Sequence, residues 1–171
     1  DGIIERSTSP WASPIVMVRK SDGRYRFCVN YKKLNEVSLP DAYPLPFVNA
    51  TLDKLLDAPY LSTLEIKSAY RQIPAAETSR PLTAFVVPTR GLFQFRRMPF
   101  GLHNAPATWQ RFIDLVIGVD LEAHTFVYLD DIIICTPTFP KHIEVLREVL
   151  SRIRKAGPLI EKTFVNPNYD I

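Results

Sequence analysis

Cysteine is scarce in this 171-residue sequence, and low-complexity tracts, internal repeats and apolar runs long enough to cross a bilayer are missing. These absences argue against a fibrous, repetitive or membrane-spanning protein and favour a globular one. The two cysteines, Cys28 and Cys135, stand apart in apolar surroundings, which favours free, buried thiols over a disulfide or a metal site. Nothing resembles a signal peptide, so we expect an intracellular protein with no membrane partner.

An excess of charge is also lacking, because the net charge is only +3. This value permits nucleic-acid binding without arguing for it, so local clustering is more informative. One N-terminal stretch interleaves basic and aromatic residues, namely Arg19, Lys20, Arg24, Tyr25, Arg26, Phe27, Tyr31, Lys32 and Lys33. Two interpretations stay open: a basic strand face that binds nucleic acid, or a solvated edge strand whose charges oppose aggregation.

Proline, in contrast, is abundant, and the 15 prolines punctuate short elements. Helices are predicted over residues 46–57, 105–118 and 140–156, with Asn104 capping the second and Gly157 ending the third. The third helix is expected to bury the stripe Ile143, Leu146, Leu150 and Ile153. Strands are predicted over residues 15–19, 24–30, 61–67, 83–87, 92–97, 125–129 and 132–136. Hairpins interleaved with helices predict an α+β fold with a mainly antiparallel sheet and helices on one face.

Two adjacent carboxylates, Asp130 and Asp131, interrupt an apolar, β-prone run that spans residues 126–134. Aspartate is depleted from strands, and two neighbouring anions repel each other when they are buried. Burial would therefore raise one pKa or require a cation, for which a divalent metal is the simplest choice. The other interpretation is a plain hairpin whose acidic turn faces water.

A third acidic residue, Glu65, lies in another β-prone run over residues 61–67. If that strand lies beside the hairpin, three carboxylates converge on one end of the sheet. Such a cluster is expected of a two-metal phosphoryl-transfer site, and Mg²⁺ suits it because it accepts few carboxylates and retains water and phosphate ligands. The alternative is a simple ion pair between Glu65 and Lys67 at a strand edge.

The order of six motifs resembles the reverse transcriptases of long-terminal-repeat retrotransposons, most closely the gypsy-type group. The motifs cover residues 2–4 with 9–14, 26–35, 41–46, 64–73, 98–102 with 104–108, and 127–132. The Tyr-x-Asp-Asp element at Tyr128 to Asp131 is the most specific of them. The resemblance extends from residue 2 to about residue 157.

This resemblance implies an RNA-directed DNA polymerase core with the fingers and palm of a right-hand polymerase. The fingers would comprise residues 1–39 and 73–102, and the palm residues 40–72 and 103–171 as a split βαβ sheet. The implied reaction is attack of a primer 3′ hydroxyl on the α-phosphate of a deoxynucleotide. The chain stops before the thumb, connection and ribonuclease H segments of the family, so a polyprotein fragment is expected.

The resemblance also assigns site residues. Metal ions, Mg²⁺ or Mn²⁺, would be held by the catalytic carboxylates Glu65, Asp130 and Asp131 with the backbone carbonyl of Ile66. The incoming nucleotide would be bound by Lys20, Arg24, Arg26, Tyr70, Phe100 and Gly101. Tyr70 would exclude a 2′ hydroxyl, and Tyr128 would pack near the primer terminus. Partners are an RNA or DNA template-primer and deoxynucleoside triphosphates, met in cytoplasm, nucleus or a virus-like particle.

Two substitutions depart from the family pattern: Glu65 and Asn30 both replace an aspartate. The extra methylene of Glu65 moves its carboxylate by roughly 1 Å, and such a displacement in a preorganised site can cost on the order of 10²-fold in rate. A second function therefore stays open, in which a catalytically impaired or inactive descendant binds nucleic acid or a protein.

Overall fold

The structure is a computed structural model that describes residues 2–19, 21–45, 58–157 and 160–166, the last range by its backbone. The chain divides into two compact units. Unit 1 comprises Asp1–Asp41 and Tyr70–Ala105, and unit 2 comprises Ala42–Ala69 and Pro106–Ile171. Within the part of the chain that is described, no helix is long and apolar enough to cross a membrane.

The strands in chain order are β1 (Ile4–Arg6), β2 (Ile15–Arg19), β3 (Tyr25–Val29), β4 (Tyr60–Ile66), β5 (Phe85–Val87), β6 (Gly91–Phe95), β7 (Thr125–Tyr128), β8 (Asp131–Thr136) and β9 (Ile160–Asn166). The α-helices are α1 (Lys32–Val37), α2 (Ala105–Ile117) and α3 (Phe139–Ala156). Short 3₁₀ turns occupy Ala69–Gln72, Arg80–Thr83 and Val119–Leu121.

Unit 1 contains a three-stranded antiparallel sheet in the order β1-β6-β5 and a separate antiparallel hairpin of β2 and β3. Its core is largely aromatic and contains Val29, Tyr31, Phe85 and Phe95. The buried Tyr31 donates its hydroxyl to the backbone carbonyl of Thr83 at 2.8 Å, which satisfies the polar end of an otherwise apolar side chain. Burial raises the pKa of Tyr31 well above its usual range.

Unit 2 contains a four-stranded antiparallel sheet in the order β7-β8-β4-β9. Along the chain the elements follow as β4, α2, β7, β8, α3 and β9. In the sheet β8 lies between β4 and β7, the two strands that α2 connects, so this sheet is a split βαβ arrangement. Alternation along β4 buries Ser62, Leu64 and Ile66 on one face. Ile134 and Ile132, the partners of Ser62 and Leu64 across the β4–β8 ladder, are buried as well, which identifies the face that packs against the helices.

The buried face of α3 differs from the predicted stripe. The structure buries His142, Val145, Val149 and Ile153, whereas Ile143 is exposed. Only Ile153 belongs to both sets, so the prediction was wrong for the first three turns. The physical reason is that α3 packs on β4 and β8, where the buried hydroxyl groups of Ser62 and Thr136 form hydrogen bonds with the imidazole of His142. The C-terminal end is as predicted, because Gly157 adopts a left-handed φ of 94° and donates its N–H to the carbonyl of Ile153.

Most of the predicted elements are present with ends shifted by a few residues, and the α+β class is confirmed. The predicted helix at 46–57 lies outside the described residues. The strands β1 and β9 and the helix α1 were not predicted. Asn104 joins α2 to the preceding segment, because its amide group bonds the carbonyl of Leu39 and the N–H of Asp41. Both cysteines are free as predicted, but Cys28 is only half-buried.

Candidate active site

The acidic pair lies at the tight turn between β7 and β8, as predicted. Leu129 and Asp130 form the turn, and Asp131 begins β8. Leu129 has a φ of 53°, a left-handed conformation that L side chains adopt at a cost. Two hydrogen bonds hold this conformation: Trp109 donates its Nε1–H to the carbonyl of Leu129 at 2.6 Å, and Ile66 donates its backbone N–H to the carbonyl of Asp130 at 2.8 Å.

The strand register brings Glu65 to the same end of the sheet. Glu65 lies directly opposite Asp131 in the β4–β8 ladder, and Tyr128 lies opposite Asp131 in the β7–β8 ladder. Directly opposed residues share a face and hold their Cβ atoms about 5 Å apart. Glu65, Asp131 and Tyr128 therefore form a row across three strands, on the face away from the buried side chains of β4.

The electrostatic environment of Asp130 disfavours its charged form. Burial raises its pKa, and the negative charges of Asp131 and Glu65 raise it further. Its Oδ1 atom is buried and has no hydrogen-bond partner in the described part of the chain. An acceptor atom in this situation costs free energy, so the fold holds Asp130 ready for a donor or a cation.

The three carboxylates lie at one end of the sheet, but their side chains do not converge on one metal position. Among the described residues, no group of three His, Cys, Asp or Glu side chains is arranged to hold a metal ion. The unsatisfied Oδ1 of Asp130 and the oxygen-only donor set nevertheless fit a hard divalent cation.

Unit 1 places three of the predicted nucleotide-binding residues beside one another. The rings of Tyr70 and Phe100 lie 5.1 Å apart between centroids, and Gly101 follows directly. Gly101 has a φ of 96°, and a Cβ there would lie 3.5 Å from both Tyr31 and the carbonyl of Val29. A side chain at this position would therefore be strained as well as confined.

The basic residues of the β2–β3 hairpin that the structure describes are exposed. Arg24 forms an ion pair with Asp22 at 2.7 Å within the turn. Arg26 lies opposite Val18 in the ladder, and its side chain is open to solvent. Lys20 lies outside the described residues.

Two polar features of unit 2 were missed from the sequence. The first is Trp109, a fully buried residue of α2 whose indole anchors the acidic turn. The second is a buried cluster at the opposite end of the sheet, where Nε2 of His142 lies 2.7 Å from the Ser62 hydroxyl and Nδ1 lies 2.9 Å from the Thr136 hydroxyl. Serine, threonine and histidine in apolar runs were the available signal, but no spacing rule connects residues 62, 136 and 142.

A split βαβ sheet that presents an acidic hairpin defines the palm of a right-hand polymerase. The chain matches the profile of one such family over residues 18–163, the family described as reverse transcriptase (RNA-dependent DNA polymerase). The chain belongs to this reverse transcriptase family. Membership was predicted from the motif order, and it is confirmed.

Relatives of known identity are retrotransposon polyproteins. The chain is 43% identical over 162 residues to the retrovirus-related Pol polyprotein from transposon opus of Drosophila melanogaster, covering 92% of this chain and 16% of that protein. It is 35% identical over 161 residues to the transposon Tf2-3 polyprotein of Schizosaccharomyces pombe, covering 94% of this chain and 12% of that one. The chain therefore spans a small fraction of the proteins it resembles.

Solved structures support the same fold. The foamy viral protease-reverse transcriptase dRH in complex with ds DNA matches with a TM-score of 0.86 at 25% identity, covering 96% of this chain and 29% of that one. The foamy viral protease-reverse transcriptase in complex with RNA/DNA hybrid matches with a TM-score of 0.87 at 24% identity, covering 96% and 22%. The fingers-and-palm fold predicted from the motifs is thereby confirmed.

Proposed function

We propose that this chain is the catalytic core of an RNA-directed DNA polymerase that adds deoxynucleotides to a primer 3′ end by two-metal phosphoryl transfer. The observation that carries the proposal is the strained hairpin turn at Leu129, which holds Asp130 and Asp131 beside Glu65. A partly buried carboxylate with an unsatisfied oxygen is costly to the fold, and costly features of this kind cluster at functional sites.

Glu65, Asp130, Asp131 and the backbone carbonyl of Ile66 would hold Mg²⁺, with Mn²⁺ as a substitute. When bound, the ions would neutralise charge on the reacting phosphate and favour the ionised primer hydroxyl. The protein supplies the positioning: two hydrogen bonds fix the backbone of the turn, and the β4–β8 register fixes the place of Glu65.

Unit 1 would bind the incoming nucleotide. Tyr70, supported by the ring of Phe100, would lie beneath the sugar and exclude a 2′ hydroxyl. Gly101 would leave room for the base pair, and Lys20, Arg24 and Arg26 would neutralise the triphosphate. Tyr128, which is 43% exposed, would contact the primer terminus in unit 2.

The proposed partners are a template-primer duplex and deoxynucleoside triphosphates. Two matched foamy viral structures contain ds DNA or an RNA/DNA hybrid, which supports this proposal by analogy. The proposed division into fingers at 1–39 and 73–102 and palm at 40–72 and 103–171 follows the motif resemblance, as does an intracellular location. Duplex contacts through phosphate and sugar predict binding that weakens with salt.

One observation favours the second function, a binding module with impaired chemistry. The described carboxylates do not form a ready three-ligand cluster, and Glu65 stands where the family resemblance predicts aspartate. A longer side chain at a fixed backbone position displaces the carboxylate by roughly 1 Å, which can cost on the order of 10²-fold in rate.

Primer extension on an RNA template with Mg²⁺ or Mn²⁺ separates the two functions. We expect weak extension by the natural chain and a gain on the order of 10²-fold in Glu65→Asp. The matched control is Glu144→Asp, the same chemical change on the exposed surface of α3, which should change nothing. Duplex binding measured in parallel identifies the binding module: duplex bound without extension by either chain would contradict the polymerase proposal.

A further inference from the structure

Unit 1 contains a cavity of about 560 Å³ that plays no part in the proposed polymerase site. Its described lining residues are Gly2, Ile3, Ile4, Phe27, Arg71, Phe85, Val87 and Phe95. The volume lies within the range of about 300–1,000 Å³ that small-molecule sites occupy, and the lining combines apolar side chains with one polar group, as such sites do.

Three of the residues that line this cavity are phenylalanines. The ring of Phe85, which is almost fully buried, lies edge-on to Phe27 at 5.4 Å and tilted against Phe95 at 5.2 Å. Phe27 and Ile4 are partly exposed to solvent. A planar ring entering the cavity would extend an existing aromatic cluster in the tilted or offset geometry that such pairs prefer.

Arg71 is the one charged side chain among the described lining residues. Its Nε atom is buried and has no hydrogen-bond partner in the described part of the chain. The guanidinium carbon lies 5.4 Å from the centroid of Phe100, so one side of the group is held by a cation–π contact. A buried N–H donor that lacks an acceptor costs free energy, and an anionic acceptor would remove that cost.

Glu5, the acidic residue of β1, pairs with other side chains. Glu5 on β1 forms ion pairs with Arg80 at 3.7 Å and Arg96 at 3.4 Å, and it accepts a hydrogen bond from Gln94 at 2.8 Å. Its carboxylate is thus committed elsewhere. A ligand carboxylate would supply the missing acceptor, because it matches the planar fork of a guanidinium.

We infer that this cavity is a binding site for a planar aromatic molecule that carries a carboxylate, with its rings against Phe27, Phe85 and Phe95 and its anionic group on Arg71. The site is built within unit 1 and uses none of the residues of the β7–β8 hairpin. It therefore goes beyond the proposed polymerase activity, and it can be tested without any catalytic assay.

The test titrates the chain with 2-naphthoate and, separately, with the neutral isostere 2-naphthamide. Binding is followed by the NMR signals of the phenylalanine rings, and the signal of Phe100 reports on Arg71 because the two groups are in contact. We expect both probes to shift Phe27, Phe85 and Phe95, and we expect naphthoate to bind about tenfold more tightly, as a charge-assisted hydrogen bond predicts.

Two variants and one control locate the binding. Arg71→Met should reduce naphthoate affinity about tenfold, to the level of the amide, while leaving the amide unaffected. Arg90→Met removes the same charge from the exposed turn between β5 and β6 and should leave both affinities unchanged. Val87→Phe should abolish binding of both probes by filling the cavity, and it keeps the test decisive if Arg71→Met fails to fold.

Three results would overturn the inference. The first is that neither probe shifts the cavity rings at its solubility limit. The second is equal affinity of the natural chain for acid and amide, which would remove Arg71 from the site. The third is unaltered binding to Val87→Phe, which would place the probes elsewhere.

Discussion

The two ends of the four-stranded sheet treat buried polar groups in opposite ways. At the end where β4 begins, both ring nitrogens of His142 have hydroxyl partners, and Thr136 also reaches the carbonyl of Thr138 at 3.3 Å. At the end where β4 stops, Asp130 leaves a buried oxygen with no partner among the described residues, and it lies near two further carboxylates. Satisfied groups stabilise a fold, whereas unsatisfied ones are retained at a cost that a function must justify.

The hydrogen bonds at the satisfied end assign one tautomer. If Thr136 donates its hydroxyl proton to Thr138, its oxygen accepts from Nδ1–H of His142, and Nε2 then accepts from the Ser62 hydroxyl. Every donor has an acceptor in this neutral arrangement. At the acidic turn, in contrast, Oδ1 of Asp130 has no hydrogen-bond partner among the described residues. Removing the polar group should therefore lower the free energy of unfolding at the His142 end and raise it at the Asp130 end.

The largest expected effect is that of Asp130→Asn. We expect primer extension to fall on the order of 10³-fold, as when a preorganised electrostatic group is removed from a site. The free energy of unfolding should nevertheless rise, by up to about 1 kcal/mol after allowance for solvent screening, because the repulsion with Asp131 and Glu65 is removed. Extension rates and urea unfolding curves measure the two effects on one sample.

The control for Asp130→Asn is Asp120→Asn. The charge of Asp120 is stabilised by an ion pair, unlike that of Asp130. Asp120 pairs with Arg152 at 2.7 Å, and this partner lowers its pKa, so its replacement should not stabilise the chain. If Asp130→Asn instead lowers stability while extension persists, the acidic turn is an ordinary part of the fold, and the contrast between the two ends disappears.

A second prediction concerns His142→Phe at the satisfied end. We expect a loss of about 2–3 kcal/mol in the free energy of unfolding, because the buried hydroxyls of Ser62 and Thr136 both lose their hydrogen bond to the imidazole. Adding Ser62→Ala and Thr136→Val should recover a good part of this loss, since an apolar set of similar shape leaves nothing unsatisfied. Denaturant unfolding measures both values.

The neighbouring exposed substitution Lys141→Ala provides the control for the His142 series. It breaks a surface ion pair with Glu144 and should cost no more than about 0.5 kcal/mol. A triple variant as unstable as His142→Phe alone would show that ring shape, and not hydrogen bonding, decides stability at this end.

The same contrast explains what could be predicted from the sequence. The hairpin, the strand that carries Glu65 and the α+β class follow from local alternation and turn chemistry, which operate over a few residues. The buried face of α3 does not, because α3 carries two apolar stripes of similar strength. The choice between them depends on Ser62 and Thr136, residues of other elements that meet His142 only in the folded chain.

Within the site, the acidic residues could be predicted from the sequence, but the hydrogen bond that holds their turn could not. An adjacent pair of aspartates in an apolar run is visible in the sequence, so Asp130 and Asp131 stood out as candidates on energetic grounds, and the motif order then favoured a metal site over a plain acidic turn. Trp109 could not, because a tryptophan on a helix is most simply read as core. Its role depends on the carbonyl of Leu129, which is available only because that residue adopts a positive φ.

Trp109→Phe is expected to have an intermediate effect, on both the stability of the chain and its primer extension. The ring still fills the core, but the hydrogen bond to Leu129 is lost, which should cost about 1 kcal/mol of stability. A turn held less firmly should also reduce primer extension about tenfold, through looser positioning of Asp130. Trp11→Phe, at a 62% exposed position, is the matched control and should change neither value. Extension at full activity in Trp109→Phe would show that the anchor is structural alone.

The smallest effect is the pH dependence of stability, in which the two ends have opposite signs. Burial lowers the pKa of His142, so the unfolded chain binds its proton first and stability falls as the pH drops below about 6.5. The pKa of Asp130 is raised, so its ionisation costs stability, and this cost is relieved as the pH falls toward that raised value. Besides burial, the charges that raise this pKa are those of Asp131 and Glu65.

Unfolding measured between about pH 7 and pH 4 in three chains separates these contributions. His142→Phe should lose the decline that begins near pH 6.5, because it has no buried imidazole to protonate. Asp130→Asn should lose the compensating gain at lower pH and therefore show the steeper decline. Parallel pH profiles in all three chains would mean that neither group is protonated differently in the folded and unfolded states. The two ends of the sheet would then differ in hydrogen bonding but not in electrostatics.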